Sequence, residues 1–519
     1  MRTVRFVANR GLATHTLLKV LLREADFVPQ TARERLALRF LYPLDSTYRV
    51  AADEVSMSDG AEFAEQIRFF SVERCRRHLR LLAERVVGTL GPVRVEIDNA
   101  VVLDGASQDF VRTVSRSGIE LEFVLHGREG IPGDAAVVSY VSTGKEALVH
   151  RLVSRSGPLG SEDRAQVQEA AECYLNVGDG WSVVPLCTRL LDESDDAELH
   201  RMMGIALLLL GRNHEAEAYY LLWRSHGPRA RANADYALAM LYARHHANHL
   251  RSLDKAEAYL EESYTILQEL PADDAQQRTF DQVFNRNGLA LVEYKRGLVG
   301  QAARRVQVGI DMLLSETPRD ALHKAVLIYN VALCYQTLGK LSQARATFSE
   351  LLRHDPRMPD YHLELARVHL ALHDPIAAQE SIDAAIALDE AISEAHSLRG
   401  YALAKQGRTD EAIAALRRAF RLDESSSAYA YDLAYRLNEA ARLDEALQVL
   451  NTHIRHVGAG EVSPDMWSLR AEIVSHVTGL EAGRDILREA LEIHPDNSDL
   501  RDNLATMETA LSDSGVPAS

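Results

Sequence analysis

Apolar positions change their spacing once along this chain. Before residue 160 they switch between the two-residue alternation of strands and the three-to-four-residue spacing of helices. Arg2–Ala8 reads as a strand and Leu17–Glu24 as a helix, followed by a long helical stretch over Glu62–Val87. Val93–Asp98 is a second strand, Ser107–Ser115 a helix, and Ile119–His126 and Ala135–Val141 further strands before a helix from Lys145. Strands alternating with helices predict a small α/β domain with a mostly parallel sheet over residues 1–160. Beyond it the helical spacing never gives way, so residues 161–519 are expected to be entirely α.

Small residues recur through this helical part. Ala171, Gly204, Ala239, Ala290, Ala332, Ala366, Gly400, Ala434 and Ala471 each stand where a first helix must let a second approach closely. The step from Ala171 to Gly204 is 33 residues, the next regular steps from Ala332 are 34, 34 and 34, and the last is 37. Twelve residues after most anchors stands another slim residue: Val183, Ala216, Ala302, Ala344, Ala378, Ala412, Ala446 or Gly483. The Ala239 unit reaches its partner, Ala256, only across the insert Arg244-His245-His246-Ala247-Asn248-His249. Extra residues also stand around Glu316–His323 and in Val457–Ser463. The clearest unit contains Gly400, Gly407, Asp410-Glu411-Ala412, Leu416 and Ala419. Gly407 is suited to end the first helix, and Asp410 and Glu411 to meet the dipole at the start of the second.

These residues resemble the tetratricopeptide repeat family over roughly residues 165–496. The resemblance implies an α-solenoid of about nine helix hairpins with Ser498–Leu511 as a capping helix. It also implies a concave groove that binds a protein or peptide. Positions three before and one after the anchors place Arg201, Tyr236, Asn287, Tyr329, Leu363, Arg367, Tyr401, Tyr431 and Tyr435 on that groove, a tyrosine-rich surface with polar handles. The paired Lys and Asn of a carboxylate clamp are missing, so chaperone-tail binding is not expected.

The amino-terminal strand is followed by Asn9-Arg10-Gly11-Leu12-Ala13-Thr14-His15-Thr16 and then an apolar helix. A phosphate-binding loop needs framing glycines and a lysine here. Asn9, Thr14 and His15 replace them, and Thr16 alone matches. Val95-Glu96-Ile97-Asp98-Asn99 and Leu103-Asp104-Gly105-Ala106-Ser107 look like the acidic strand and following helix start of the signal-transduction P-loop ATPases with numerous domains. That resemblance implies a vestigial nucleotide site at Thr16, Asp98 and Arg128, with Arg128 as a sensor arginine. Without the lysine and glycines the positive cradle for a triphosphate is gone, so no catalysis and no cofactor are expected. A second glycine-lysine pair, Thr143-Gly144-Lys145, is a chance match, since Ser139 stands where its first glycine belongs.

Charge sharpens the division. Residues 1–160 carry 22 Lys+Arg and 20 Asp+Glu, whereas the remainder carries 36 and 55. An acidic helical body repels nucleic-acid phosphates. The longest apolar run, Ile205–Leu210, is far too short to span a membrane. No signal peptide is evident, and Cys75, Cys173, Cys187 and Cys334 show no CxxC pair. These features predict a cytoplasmic protein. His245 and His249 stand four residues apart, a metal-compatible spacing, but no Glu or Cys follows nearby. They are read with His246 as a solvated helix end, and no metal site is expected. Trp181, Trp223 and Trp467 fall at core packing positions. The function implied is an adaptor or regulator that binds a protein or peptide in the repeat groove. The alternatives are a nucleotide-dependent switch with an atypical loop, or an accessory protein presenting a peptide or carrier substrate to a biosynthetic enzyme.

Overall fold

Four short strands open the chain and pair with one another. They are β1 (Arg2–Val7), β2 (Val93–Asp98), β3 (Leu121–Leu125) and β4 (Val137–Val138), in the order β3-β2-β1-β4 with every neighbouring pair parallel. The computed structural model describes residues 1–61, 71–127, 137–271, 275–313 and 317–513. Parallel pairing requires crossovers. These contain α1 (Thr16–Glu24), α2 (Ala32–Leu41), α3 (Met57–Gly60) and α4 (Ser71–Leu90) between β1 and β2, and α5 (Gly105–Ser115) between β2 and β3. Val4, Phe6, Val93, Val95 and Ile97 form the buried centre of the sheet. Two expectations change in length. The strand expected over Ala135–Val141 is only Val137–Val138 among the described residues, and of the helix expected from Glu62 only the part from Ser71 is described. Helix α2 is an element the apolar spacing does not mark, although Thr31 and Glu34 form the capping box at its start.

Helix α1 is buried nearly all round, including Lys19 at 1% exposure. A buried ammonium must be paired. Lys19 Nζ donates to Glu146 at 2.8 Å and lies 5.0 Å from the ring centres of Tyr42 and Tyr140. Glu146 belongs to α6 (Gly144–Ser154), the last helix before the repeats.

Nineteen helices follow among the described residues. They pair as α7/α8 (Ser161–Val177, Gly180–Leu191), α9/α10 (Ala197–Leu209, Asn213–Arg224) and α11/α12 (Pro228–Met240, Leu253–Glu269). Next come α13/α14 (Ala275–Lys295, Val299–Met312) and α15/α16 (Pro318–Thr337, Leu341–His354), then α17 (Pro359–Ala371) and α18 (Pro375–Leu388). The last are α19/α20 (Ser393–Lys405, Thr409–Leu422), α21/α22 (Ser427–Glu439, Leu443–Val457), α23/α24 (Pro464–Val477, Leu480–Ile493) and α25 (Ser498–Asp513). Every anchor residue lies in a first helix and every partner in a second, and all are buried. The requirement for a small anchor is steric. A Cβ on Gly204 would sit 2.3 Å from Tyr220 Cε1, and one on Gly400 would sit 2.5 Å from Leu416 Cγ. Helix α25 buries Leu500 and Leu511 and leaves most other positions in solvent, as an end cap should.

The chain divides into two compact units. The first contains Met1–Val111 and Leu121–His373, so it joins the sheet to five complete hairpins and α17. The second contains Arg112–Glu120 and the chain from Asp374 onward, beginning with α18. Its core runs from Ile413 through Leu437, Trp467 and Leu487 to Leu500. No described helix is long and apolar enough to cross a membrane.

Candidate interaction site

Helices α9, α11 and α13 each turn one stripe of side chains toward a cavity of about 540 Å³ in the first unit. The stripes follow helical spacing. Helix α9 supplies Arg201, Ile205 and Leu208, α11 supplies Tyr236 and Met240, and α13 supplies Phe280 and Phe284. Val72, Glu73 and Arg76 of α4 add a rim from the amino-terminal layer of the same unit. Aromatic contacts fix the floor. Tyr236 and Phe284 have ring centroids 4.3 Å apart, and Phe280 stacks on Phe284 at 6.0 Å. His323 of α15 packs behind both rings at 5.0 and 5.4 Å.

The polar points on this lining are already oriented. Arg201 Nε donates to Glu198 at 2.8 Å. Arg244 Nε donates to His245 Nε2 at 3.0 Å. Burial, and after it the Arg244 charge, pushes the His245 pKa down to about 3, so this ring is a neutral acceptor at physiological pH. Burial also pushes the Tyr236 phenol up to about 12. The site is therefore an apolar, aromatic-lined recess with guanidinium groups on its lining, a surface suited to desolvating side chains.

Of the expected groove residues, Arg201 and Tyr236 meet in this cavity. Asn287 does not line it. Its side-chain oxygen accepts from Asn330 Nδ2 at 2.9 Å. Tyr329 is corrected from groove to core, since it is 5% exposed and packs on Phe348 and Tyr361 while its hydroxyl donates to Glu364 at 3.0 Å. Leu363 is buried as well. Arg367 is half-buried and pairs with Glu364 at 2.7 Å. Tyr401, Tyr431 and Tyr435 belong to the second unit. Tyr401 and Tyr435 are exposed, and Tyr431 stacks on Tyr435 with centroids 6.1 Å apart. Phe280 and Phe284 were missed, although an i,i+4 aromatic pair on an early turn of α13 was visible in the sequence.

The loop before α1 is closed by internal carboxylates. Asp104 Oδ1 accepts from the His15 backbone N–H at 2.9 Å, and its Oδ2 accepts from the Thr16 hydroxyl at 2.5 Å. Thr14 Oγ1 donates to Asp179 of the first hairpin at 3.0 Å. His15 is buried beside Asp179 and against Phe40, and burial lowers its pKa. Asp98 is 1% exposed and accepts from Arg5 Nε at 2.7 Å. Arg128 lies outside the described residues. Trp181 is corrected from core to tie. It is half-buried and donates from Nε1 to Asp109 of α5 at 2.7 Å, whereas Trp223 and Trp467 are core.

The histidine insert also departs from expectation. Helix α11 ends in a π-helical turn, Leu241–His245, which is wider than an α turn, and the next residue, His246, is buried at 2% exposure. His246 is thus buried rather than solvated, and Glu217 of α10 stands 3.4 Å from its Nε2. His249 remains exposed.

Comparison with known proteins places the repeats. Tetratricopeptide repeat models match residues 332–391, 366–427 and 403–473. No curated protein matches the sequence significantly. Among solved structures, the chain is similar to a tetratricopeptide repeat protein from Parabacteroides merdae at 13% identity and TM-score 0.35, over 53% of this chain and 99% of that one. It is similar to Pseudomonas aeruginosa pilF at 14% identity and TM-score 0.36, over 45% and 100%. It is also similar to YrrB, described as a tetratricopeptide repeat protein with an unusual peptide-binding site, at 20% identity and TM-score 0.30, over 36% and 92%.

Proposed function

We propose that this chain is a protein-interaction adaptor that seats a segment of its partner in the recess between α9, α11 and α13. The observation that carries this reading is the lining itself. Tyr236, Phe280 and Phe284 join Ile205, Leu208 and Met240 around a space of about 540 Å³, room for a few apolar side chains of a bound segment. Aromatic pockets of this kind concentrate binding energy in a few residues. Tyr401, Tyr431 and Tyr435 offer a second contact surface on the second unit. The adaptor works in the cytoplasm, and its four free thiols suit a reducing compartment.

The same reading makes the amino-terminal layer a docking module descended from a nucleotide-binding domain, with no nucleotide switch of its own. Asp104 supports this, because its carboxylate stands at the start of α1 where a phosphate would have to sit. Both parts are testable. Leu208→Arg and Phe284→Arg place cations at half-buried positions of the recess, and each is expected to remove partners captured by the wild-type protein. An unchanged partner list would exclude the recess. Calorimetry with ATP and magnesium is expected to show no binding, and micromolar affinity would restore the switch.

A further inference from the structure

Three side chains converge where the third hairpin departs from the repeat length. His214 and Glu217 stand three residues apart on α10, hence on one face, and His246 follows the π-helical turn at the end of α11. One donor atom from each lies within 4.8 Å of the other two. Glu217 Oε2 and His246 Nε2 are 3.4 Å apart. Donors held at ~2.0–2.1 Å by one tetrahedral zinc ion are separated by about 3.3–3.4 Å.

Two further observations distinguish this cluster from an ordinary ion pair. His246 is 2% exposed, yet neither of its ring nitrogens makes a hydrogen bond among the described residues. Buried polar groups are normally satisfied. Glu217 is also held in place from outside the cluster. The Tyr242 hydroxyl donates to its Oε1 at 2.6 Å while its Oε2 faces His246. Metal-ligating carboxylates are commonly steadied by such outer hydrogen bonds. The backbone beside His246 is pinned too, with Asn213 Nδ2 donating to the His245 carbonyl at 2.6 Å and Arg251 Nε to the His246 carbonyl at 2.8 Å.

We propose that His214, Glu217 and His246 bind one zinc ion, which clips α10 to the end of α11 across the inserted segment. Two imidazoles and a carboxylate are a donor set zinc accepts, and because His214 is exposed, water is the fourth ligand the proposal requires. The clip gives the insert a role that hairpin packing does not require. A second cluster, Asp195, His200 and His226, differs in kind. Its Asp195 is 77% exposed and hydrogen-bonded directly to His200 at 2.6 Å, so it serves as a control.

The test uses untagged full-length protein, stripped with chelator and titrated with zinc chloride by calorimetry, with metal counted after gel filtration. One zinc per chain at micromolar affinity or tighter is expected, and cobalt in its place should show the visible bands of a four-coordinate ion. His214→Ala and Glu217→Gln alter partly exposed side chains, and each should weaken zinc binding by more than about tenfold. Tyr242→Phe leaves every ligand in place and should weaken it roughly tenfold, whereas Asp195→Asn should change nothing. Circular dichroism reports whether each variant is folded. The proposal is overturned if the wild-type protein takes up no zinc. It is equally overturned if His214→Ala and Glu217→Gln bind as the wild type does, or if Asp195→Asn removes the ion instead.

Discussion

The carboxylate of Asp104 accepts the backbone N–H of His15 at 2.9 Å and that of Thr16 at 3.3 Å, so an internal anion occupies the start of α1. A helix amino terminus presents unpaired N–H groups and roughly half a positive charge. In nucleotide-binding folds that end meets phosphate. Here it is already satisfied, and the same carboxylate also takes the Ser107 N–H at 2.8 Å. One side chain therefore fastens α1 to α5.

Asp104→Ala should lower the stability of the first unit by about 1–2 kcal/mol, the range for losing a helix cap. Urea denaturation measures the loss. Emptying the position should create no affinity for ATP, because neither the lysine nor the framing glycines are present. A variant that gained ATP binding would reveal a cradle merely blocked by Asp104.

Asp98, which the resemblance to signal-transduction ATPases assigns to a vestigial nucleotide site, stands against Arg5 in the sheet core. Asp98→Asn would leave the Arg5 charge buried without its counter-ion and should cost about 3–5 kcal/mol. The double change Arg5→Met with Asp98→Leu should recover most of that loss, since apolar residues replace buried pairs well. A stability unchanged by Asp98→Asn would show that the pair does not hold the sheet.

Gly204→Ala tests why the anchors are small. Its methyl group would overlap the Tyr220 ring, a large and fully packed neighbour. Overpacking of this kind costs roughly 1–3 kcal/mol. The matching Ala→Gly change at Ala332, which is fully buried, should cost about 1 kcal/mol in helix propensity and roughly 0.8 kcal/mol more for the buried methyl group it removes. Equal small losses at both positions would mean that α9 and α10 can separate without cost.

Acid should weaken the first unit. Burial holds His323 at a pKa of about 3 against an ordinary value of 6.5, and His245 is lowered to about 3 as well. From pH 6.5 down to about 3 the unfolded chain therefore holds more protons than the folded one. This contribution is complete above pH 6.5 and fades as pH falls. Asp355 opposes it. Burial raises its carboxyl from 3.8 to about 6, so its contribution is complete below 3.8 and is lost as pH rises through 6. Two histidines outweigh one aspartate, and the urea midpoint of the first unit should drop between about pH 7 and about pH 5. His323→Gln should flatten that dependence. A midpoint that rose on acidification would contradict the balance.

The hairpins were legible because their packing is local. A second helix that starts a fixed distance after the first needs a small residue on each, and Gly204 with Ala216 or Gly400 with Ala412 records that need in the spacing alone. The strands were legible for a similar reason, since a short apolar run between turns has few other uses. The lining of the recess was only partly so. Arg201 and Tyr236 follow from their distance to the anchor, but α13 is long and brings Phe280 and Phe284 to the wall in place of Asn287. Tyr329 carries the same pattern as Tyr236, yet Phe348 and Tyr361 enclose it.

By itself, the sequence determined the solenoid and its hairpin register, because both rest on contacts between residues near in the chain and on a repeated period. It also determined that the first 160 residues alternate strands with helices, from which a parallel layer follows. Only the tertiary structure decided that Asp104 fills the start of α1 and Arg5 neutralises Asp98. It alone decided that a π-helical turn carries His246 to Glu217. These pairs are separated by dozens of residues and obey no period. Their meeting depends on how whole elements pack, and their chemistry follows from the burial that this packing imposes.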